Sequence, residues 1–274
     1  MTDKNAVIPS RSKDNMTNDG DVLFKYKSMV TAETAAHTLD ILKDQRLFCP
    51  SPDSFNDPFE CQANISFDAP VEVKNERAKE QLMKENPNMT EAEAEAQTSG
   101  RWQQVEKNDN CQEFRRWLYS DTGVVSFSTV KDDILMWAHY AGGHDGVCIE
   151  FRCTDKSHVD FFGQAHPVEY RKELPKINFY TTKPNDKLKA LILTKSEHWS
   201  YEKEWRIIVP DAVRKSRYIL VPSGAFAAVY LGCQISKENR DMLLRSISSA
   251  PVRVLQAKRK SDAYGLDFEP ISSR

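Results

Sequence analysis

Between Trp199 and Val209 the chain reads WSYEKEWRIIV, and at a period of two this run divides into two faces. Trp199, Tyr201, Trp205, Ile207 and Val209 fall on one side, and Glu202, Glu204 and Arg206 on the other. Aromatic and β-branched residues suit a pleated, half-buried surface, so the segment predicts a strand. Two carboxylates and a guanidinium on one face then have two readings. Either they pair on a solvated face, or they point into a cleft where charge is used.

The flanking chain suggests what that strand belongs to. Val22 to Lys27 reads as a first strand, and a helix begins at Thr31 or Glu33 with Ala35, Ala36, Leu39, Ile41 and Leu42 at helical spacing. Leu47 to Cys49 is a short strand. From Gly123 onward short strands and helices alternate: Val124–Ser128, a helix over Asp132–Ala141 closed by Gly142-Gly143, then Val147–Phe151 and Val168–Arg171. A helix near Leu188–Lys195 leads to the Trp199–Val209 strand. Tyr218–Val221, Ala227–Leu231 and Val252–Leu255 follow, with a helix over Lys237–Ile247. The pattern predicts an α+β fold with antiparallel-rich sheets and surrounding helices.

Two stretches stand apart. Residues 1–20 are polar and aperiodic and are expected to form a disordered tail, leaving 21–274 as one domain. Residues 71–119 are rich in Lys, Glu and Ala, with Pro87-Asn88 as a break, and read as a helical insertion. Phe114, Trp117 and Leu118 are its candidates for leaning on the core. An insertion of this kind is expected to select partners rather than to do chemistry.

Composition removes whole classes of function. The 38 basic and 40 acidic residues among 274 leave a net charge of −2, so no global field favours nucleic acid. No apolar run is long enough for a membrane span, and the N-terminus lacks a signal pattern. Six scattered cysteines without a C-x-x-C pair fit reduced thiols, and the expected location is the cytoplasm. His139, His144 and Cys148 match no usual zinc spacing, so no metal is expected. G-x-S-x-G, Walker-A, H-E-x-x-H and G-x-G-x-x-G patterns are all missing.

Chemistry therefore has to come from carboxylate, serine, aromatic and basic side chains. Phe24-Lys25-Tyr26-Lys27 lies on the first strand. Phe55–Glu60 (FNDPFE) reads as a turn pinned by Phe55 and Phe59. Ser126 and Ser128 share a strand face while Phe127 points to the core. Met136, Trp137 and Tyr140 form a helical stripe, the usual mark of a core face, although Trp137 and Tyr140 together would also stack on a planar ligand.

The ordered set of Lys25-Tyr26, FNDPFE, SFS at Ser126–Ser128, MWAHYA through the C-I-E-F ending at Phe151, and W-x-Y-E-K-E-W-R at Trp199–Arg206 resembles the bacterial domain-of-unknown-function 2971 family. Some members of that family are described as abortive-infection phage-resistance proteins. A more distant likeness is to ADP-ribosyltransferases. These carry in order a basic or aromatic residue on an early strand, a hydroxyl residue on a middle strand and a late Glu-x-Glu. Lys25 or Tyr26, Ser126 or Ser128, and Glu202-Lys203-Glu204 stand in that order, with Lys25-Tyr26 replacing the family's usual His or Arg.

That likeness implies an ADP-ribosyltransferase-like fold with NAD as substrate. Glu204, Glu202 and Ser126 would be catalytic. Lys25, Tyr26, Ser128, Trp137, Tyr140 and Arg206 would contact NAD. The acceptor would be a protein or a nucleic acid, with a phage component or an antitoxin as partner and no membrane involved. The alternatives at this stage are a non-catalytic module that senses a nucleotide or phage component, and another hydrolase such as a nuclease or glycosidase.

Overall fold

The computed structural model describes residues 22–98, 103, 119, 122–152, 161–210, 212, 216–247 and 252–271. The expected N-terminal tail and Phe114, Trp117 and Leu118 lie outside the described residues. In chain order the elements are β1 (Val22–Ser28), α1 (Ala32–Asp44), β2 (Arg46–Phe48), β3 (Asn64–Ser66), α2 (Val71–Glu85), α3 (Glu91–Thr98) and β4 (Gly123–Ser128). Then come α4 (Ile134–Tyr140), β5 (Gly146–Arg152), β6 (Ala165–Pro167), β7 (Glu169–Arg171), β8 (Lys176–Asn178), α5 (Pro184–Ile192) and β9 (Thr194–Ser196). The chain ends with β10 (Glu204–Val209), β11 (Tyr218–Leu220), β12 (Phe226–Leu231), α6 (Lys237–Ser246), β13 (Arg253–Arg259) and β14 (Leu266–Pro270). This is a mixed α+β protein.

The chain divides into two compact units. One holds Ser51–Thr122 and Glu169–Ser196. The other holds the described part of Pro9–Pro50 together with Gly123–Val168 and Glu197–Arg274.

The second unit is organised by an eight-stranded sheet in the order β14-β13-β12-β5-β1-β4-β10-β6. Every pairing in it is antiparallel except β12 with β13. Alternation along the strands gives the sheet two apolar faces. Leu23, Val125, Phe127, Ile149, Phe151, Trp205, Ile207 and Val229 pack on one, with Ala35 and Ile41 of α1 and Leu243 of α6. Phe24, Tyr26, Cys148, Ala228 and Tyr230 pack on the other, with Met136 and Trp137 of α4. Helix α1 starts where the sequence predicts. Thr31 accepts from the Thr34 N–H at 3.1 Å while the Thr34 hydroxyl accepts from the Thr31 N–H at 3.0 Å, a reciprocal cap.

The strand expected over Trp199–Val209 begins only at Glu204. Residues Glu197–Glu202 form a 3-10 turn, and Lys203 has a φ of +43°, in the left-handed region. The period of two is broken there, so Glu202 and Glu204 are not related by strand alternation. The hydrophobic pattern of Trp199 and Tyr201 comes instead from a ring cluster, with centroids 6.1 Å apart.

In the first unit, the FNDPFE turn is held differently from expectation. Asp57 accepts the Phe59 N–H through Oδ1 at 2.9 Å, and its carbonyl accepts the Glu60 N–H at 3.1 Å. Phe59, however, is 74% exposed, and the buried member is Glu60, whose carboxylate lies 3.6 Å from the buried amine of Lys195. Of the expected helical insertion, α2 and α3 are described. They bury little beyond Leu82, Ala94 and Thr98, and Lys79 of α2 ties them together by reaching Glu91 of α3 at 2.9 Å, while pairing with Glu76 of its own helix at 2.8 Å.

Candidate active site

Strand register decides which side chains can work together. In the β4–β10 ladder Glu204 stands opposite Ser128 and Arg206 opposite Ser126, and directly opposed residues share a face. Ser128 is in turn opposite Phe24 of β1. Ser126, Ser128, Glu204 and Arg206 therefore line the face that carries Phe24 and Tyr26. Their neighbours Phe127, Trp205 and Ile207 fill the opposite core.

Both carboxylate oxygens of Glu204 accept from one guanidinium. Arg206 Nε reaches Oε1 at 2.8 Å and Nη2 reaches Oε2 at 2.8 Å. The pair is nearly removed from water, with Arg206 only 1% exposed. A two-pronged bond of this kind fixes the carboxylate in orientation as well as charge. Of the two roles read for Arg206, the geometry displays the ion pair.

Glu202 reaches the same region from the 3-10 turn. Tyr140 of α4 donates its hydroxyl to Glu202 Oε1 at 2.6 Å. Ser128 Oγ donates to the Glu202 carbonyl at 2.6 Å and accepts the Val130 N–H at 3.1 Å. Ser128 thus pins the backbone that presents both glutamates. Beside them a ring cluster gathers, with the His139 imidazole 6.2 Å from Trp199, 6.4 Å from Tyr201 and 6.3 Å from Tyr140.

Three predicted residues stand elsewhere. Lys25 is in register with Ile149, so it lies on the opposite face from Ser126, Ser128 and Glu204. Its amine donates to the Ser126 carbonyl at 2.8 Å and sits 5.5 Å from the Phe127 ring centroid. Tyr26 shares the glutamate face but is buried, donating to the Val130 carbonyl at 2.9 Å and meeting Trp137 edge-on at 5.4 Å. Trp137 is fully buried, its indole N–H given to the Lys131 carbonyl at 2.8 Å. Of the helical stripe, Trp137 is core and Tyr140 reaches the glutamates.

Sequence reasoning assigned no role to Glu150. This carboxylate is 2% exposed on β5, opposite Phe24, on the same face. It accepts the Tyr230 hydroxyl and Arg152 Nη2, the latter at 2.7 Å. Burial first, then the bond to Glu150, pushes the Tyr230 phenol well above its ordinary value. An acid between Ile149 and Phe151 in an otherwise apolar strand was the available signal. The amine of Lys131 lies nearby, 5.7 Å from the Phe24 centroid and 6.0 Å from those of Tyr230 and Phe268. Among the described residues no three His, Cys, Asp or Glu side chains group to hold a metal.

Lys25 supplies a pH signature. Burial, and next the charge of Lys27, draw its amine down from 10.5 to about 7, against an opposing pull from Glu204. Between these values the unfolded chain binds the proton that the folded one has released, so stability rises with pH across that window. Below it both states are protonated, and the penalty of burying the charge is complete. Lys25→Met is expected to flatten urea-measured stability between about pH 7 and 10. A slope identical to wild type would exclude Lys25 as its source.

A family model described as "Protein of unknown function (DUF2971)" matches residues 136–207, from α4 through most of β10. That span contains Trp137, Tyr140, Glu150, Glu202, Glu204 and Arg206, and the match supports the family resemblance read from the motifs. No curated protein and no solved structure matches the chain. No described helix is long and apolar enough to cross a membrane.

Proposed function

We propose that this chain is an NAD-consuming enzyme with an ADP-ribosyltransferase-like fold, transferring ADP-ribose or releasing it to water. The observation that supports the reading best is the register. Ser126 and Ser128 stand beside Arg206 and Glu204 on one face, with Glu202 led into it by the Tyr140 bond. Cleaving the nicotinamide–ribose bond leaves the bonding electrons on nicotinamide and develops positive charge at the sugar. A fixed carboxylate beside that carbon stabilises charge that exists only in the transition state. In this reading Glu204 performs that role, and Arg206 is a positioning residue that keeps it ionised and aimed.

Glu202 orients the acceptor hydroxyl, guanidine or water and takes its proton, with Tyr140 holding the carboxylate in place. Ser126 holds a ribose hydroxyl, and Ser128 positions the Glu202–Glu204 backbone. The acceptor class is a protein or a nucleic acid in the cytoplasm, and the setting is phage defence with a phage or antitoxin partner. One observation favours a non-catalytic nucleotide sensor instead: Arg206 occupies both oxygens of Glu204.

Incubating the purified protein with NAD and following free nicotinamide by chromatography separates the two. The enzymatic reading expects nicotinamide to accumulate with time and enzyme concentration, and a Tyr140→Phe variant to slow it by about 10–100-fold through a misdirected Glu202. NAD bound without any nicotinamide released, with or without a bacterial or phage lysate as acceptor source, would leave the sensor.

A further inference from the structure

Strand β6 closes the large sheet beside β10, and its register extends the row of residues in the candidate site. His166 of β6 stands directly opposite Arg206, with Ala165 opposite Ile207 and Pro167 opposite Trp205. Ala165, Ile207 and Trp205 belong to the apolar core on one side of the sheet, so His166 and Arg206 share the other side. That is the side of Ser126, Ser128 and Glu204. The ladder continues past His166, because the Val168 N–H donates to the Glu204 carbonyl at 2.9 Å. One row across three strands therefore holds Ser126, Arg206 and His166 in that order.

Exposure divides that row. Arg206, Glu204 and Ser128 are buried, whereas Ser126 and His166 are both partly open to water. Two hydrogen-bonding side chains thus flank the buried ion pair, one on each side. Their Cα atoms are two strand spacings apart, roughly 10 Å. A five-membered sugar ring with a hydrogen bond of about 2.8 Å at each end fills a gap of that width. His166 is also the diagonal neighbour of Glu204 across the β6–β10 pair, at about 7–8 Å, which a ring side chain can bridge. A neutral imidazole carries one N–H donor and one acceptor nitrogen, so it can serve a hydroxyl in either sense.

We infer that His166 is a substrate-binding residue of this site, hydrogen-bonded to a hydroxyl of the ribose next to nicotinamide, on the flank opposite Ser126. The inference rests on the NAD reading and assigns the residue that completes the sugar's cradle. Held between Ser126 and His166, the ribose lies over Arg206 and beside Glu204. No bond is made or broken at His166, and its contact exists in the bound substrate as well as in the transition state. Its loss is therefore felt in NAD affinity and KM, with kcat little changed. Sequence reasoning passed over His166 because a strand of three residues displays no period.

Titration of the full chain with NAD, followed by calorimetry and by the imidazole signals in proton–nitrogen correlation spectra, tests the assignment. The His166 signal is identified by its loss in His166→Gln. It is expected to shift saturably with NAD and with nicotinamide mononucleotide, which carries the same ribose, and to stay in place with AMP. His166→Ala should bind NAD about five- to tenfold more weakly at an unchanged thermal midpoint, with a matching rise in KM for nicotinamide release. NAD that binds while the His166 signal of the wild-type chain stays unmoved overturns the inference and leaves the NAD reading standing. So does a His166 signal that follows AMP and not nicotinamide mononucleotide, which would place the adenosine ribose there. A wild-type chain that does not bind NAD at all removes the NAD reading and His166's role with it.

Discussion

Replacing Glu204 by glutamine is expected to lower the stability of the sheet-bearing unit by about 3–5 kcal/mol. Size and shape are conserved, so no cavity forms. What is lost is the charge opposite a guanidinium that is 1% exposed and held at 2.8 Å by both carboxylate oxygens. Arg206 cannot escape by losing its proton, and a glutamine amide offers one acceptor and turns a second donor toward it. The cost is the loss of this carboxylate's charge beside a guanidinium already taken out of water. Removing both charges, as in Glu204→Leu/Arg206→Met, should restore most of the stability, because a buried pair gains little over a well-packed apolar one. Chemical denaturation of the three proteins measures this. A Glu204→Gln variant within 1 kcal/mol of wild type, on the scale of an exposed pair, would mean that the pair stays hydrated in solution.

That comparison also sharpens the functional test. A loss of nicotinamide release in Glu204→Gln alone has two explanations, a missing catalytic charge and a partly unfolded protein. The double variant separates them, because it recovers the fold without the carboxylate. Under the proposed function it stays inactive despite its recovered stability.

Local alternation made half of this site legible. From Glu204 to Val209 the period of two holds, so the division between Glu204 and Arg206 on one side and Trp205 and Ile207 on the other could be read directly. Just before Glu204 the same arithmetic failed. A single left-handed residue, Lys203, shifts the phase, and nothing in its identity announces that backbone state. Lys25 illustrates a second limit. Its strand was readable, but which face it joins depends on pairing with β4 and β5, a relation made across more than a hundred residues of chain. Glu150 was hidden because an acid in an apolar strand reads as an exception until Tyr230 is seen to satisfy it. β6, β7, β8 and β9 have three residues each, too few to display a period. The order of β12, α6 and β13 was visible, whereas the parallel pairing of the two strands was not.

The second large effect is at Gly232, just after β12 and before α6. Its N–H donates to the Gly146 carbonyl at 2.8 Å, which ties the end of β12 to the start of β5. A Cβ at this position would stand 2.0 Å from the His144 carbonyl oxygen, 2.8 Å from its carbon and 3.1 Å from the Gly146 oxygen. Every obstacle is backbone, and the backbone is held. His144 occupies the left-handed region at φ +70°, its N–H donates to the Trp137 carbonyl at 3.2 Å, and its carbonyl accepts the Gln234 N–H at 3.1 Å. Gly232→Ala therefore has to move the turn that joins α4 to β5 or the loop that starts α6. The first carries Tyr140 away from Glu202, and the second displaces the start of α6 from the end of β12. The expected cost is about 3 kcal/mol or more, at the upper end of overpacking. Gly143→Ala provides the control, since nothing lies within 4 Å of its Cβ and only its φ of +65° is strained, for about 1 kcal/mol. If Gly232→Ala unfolds at the same denaturant concentration as Gly143→Ala, the two backbones do not approach as closely as described. A much lower midpoint for Gly232→Ala is the outcome that the geometry requires.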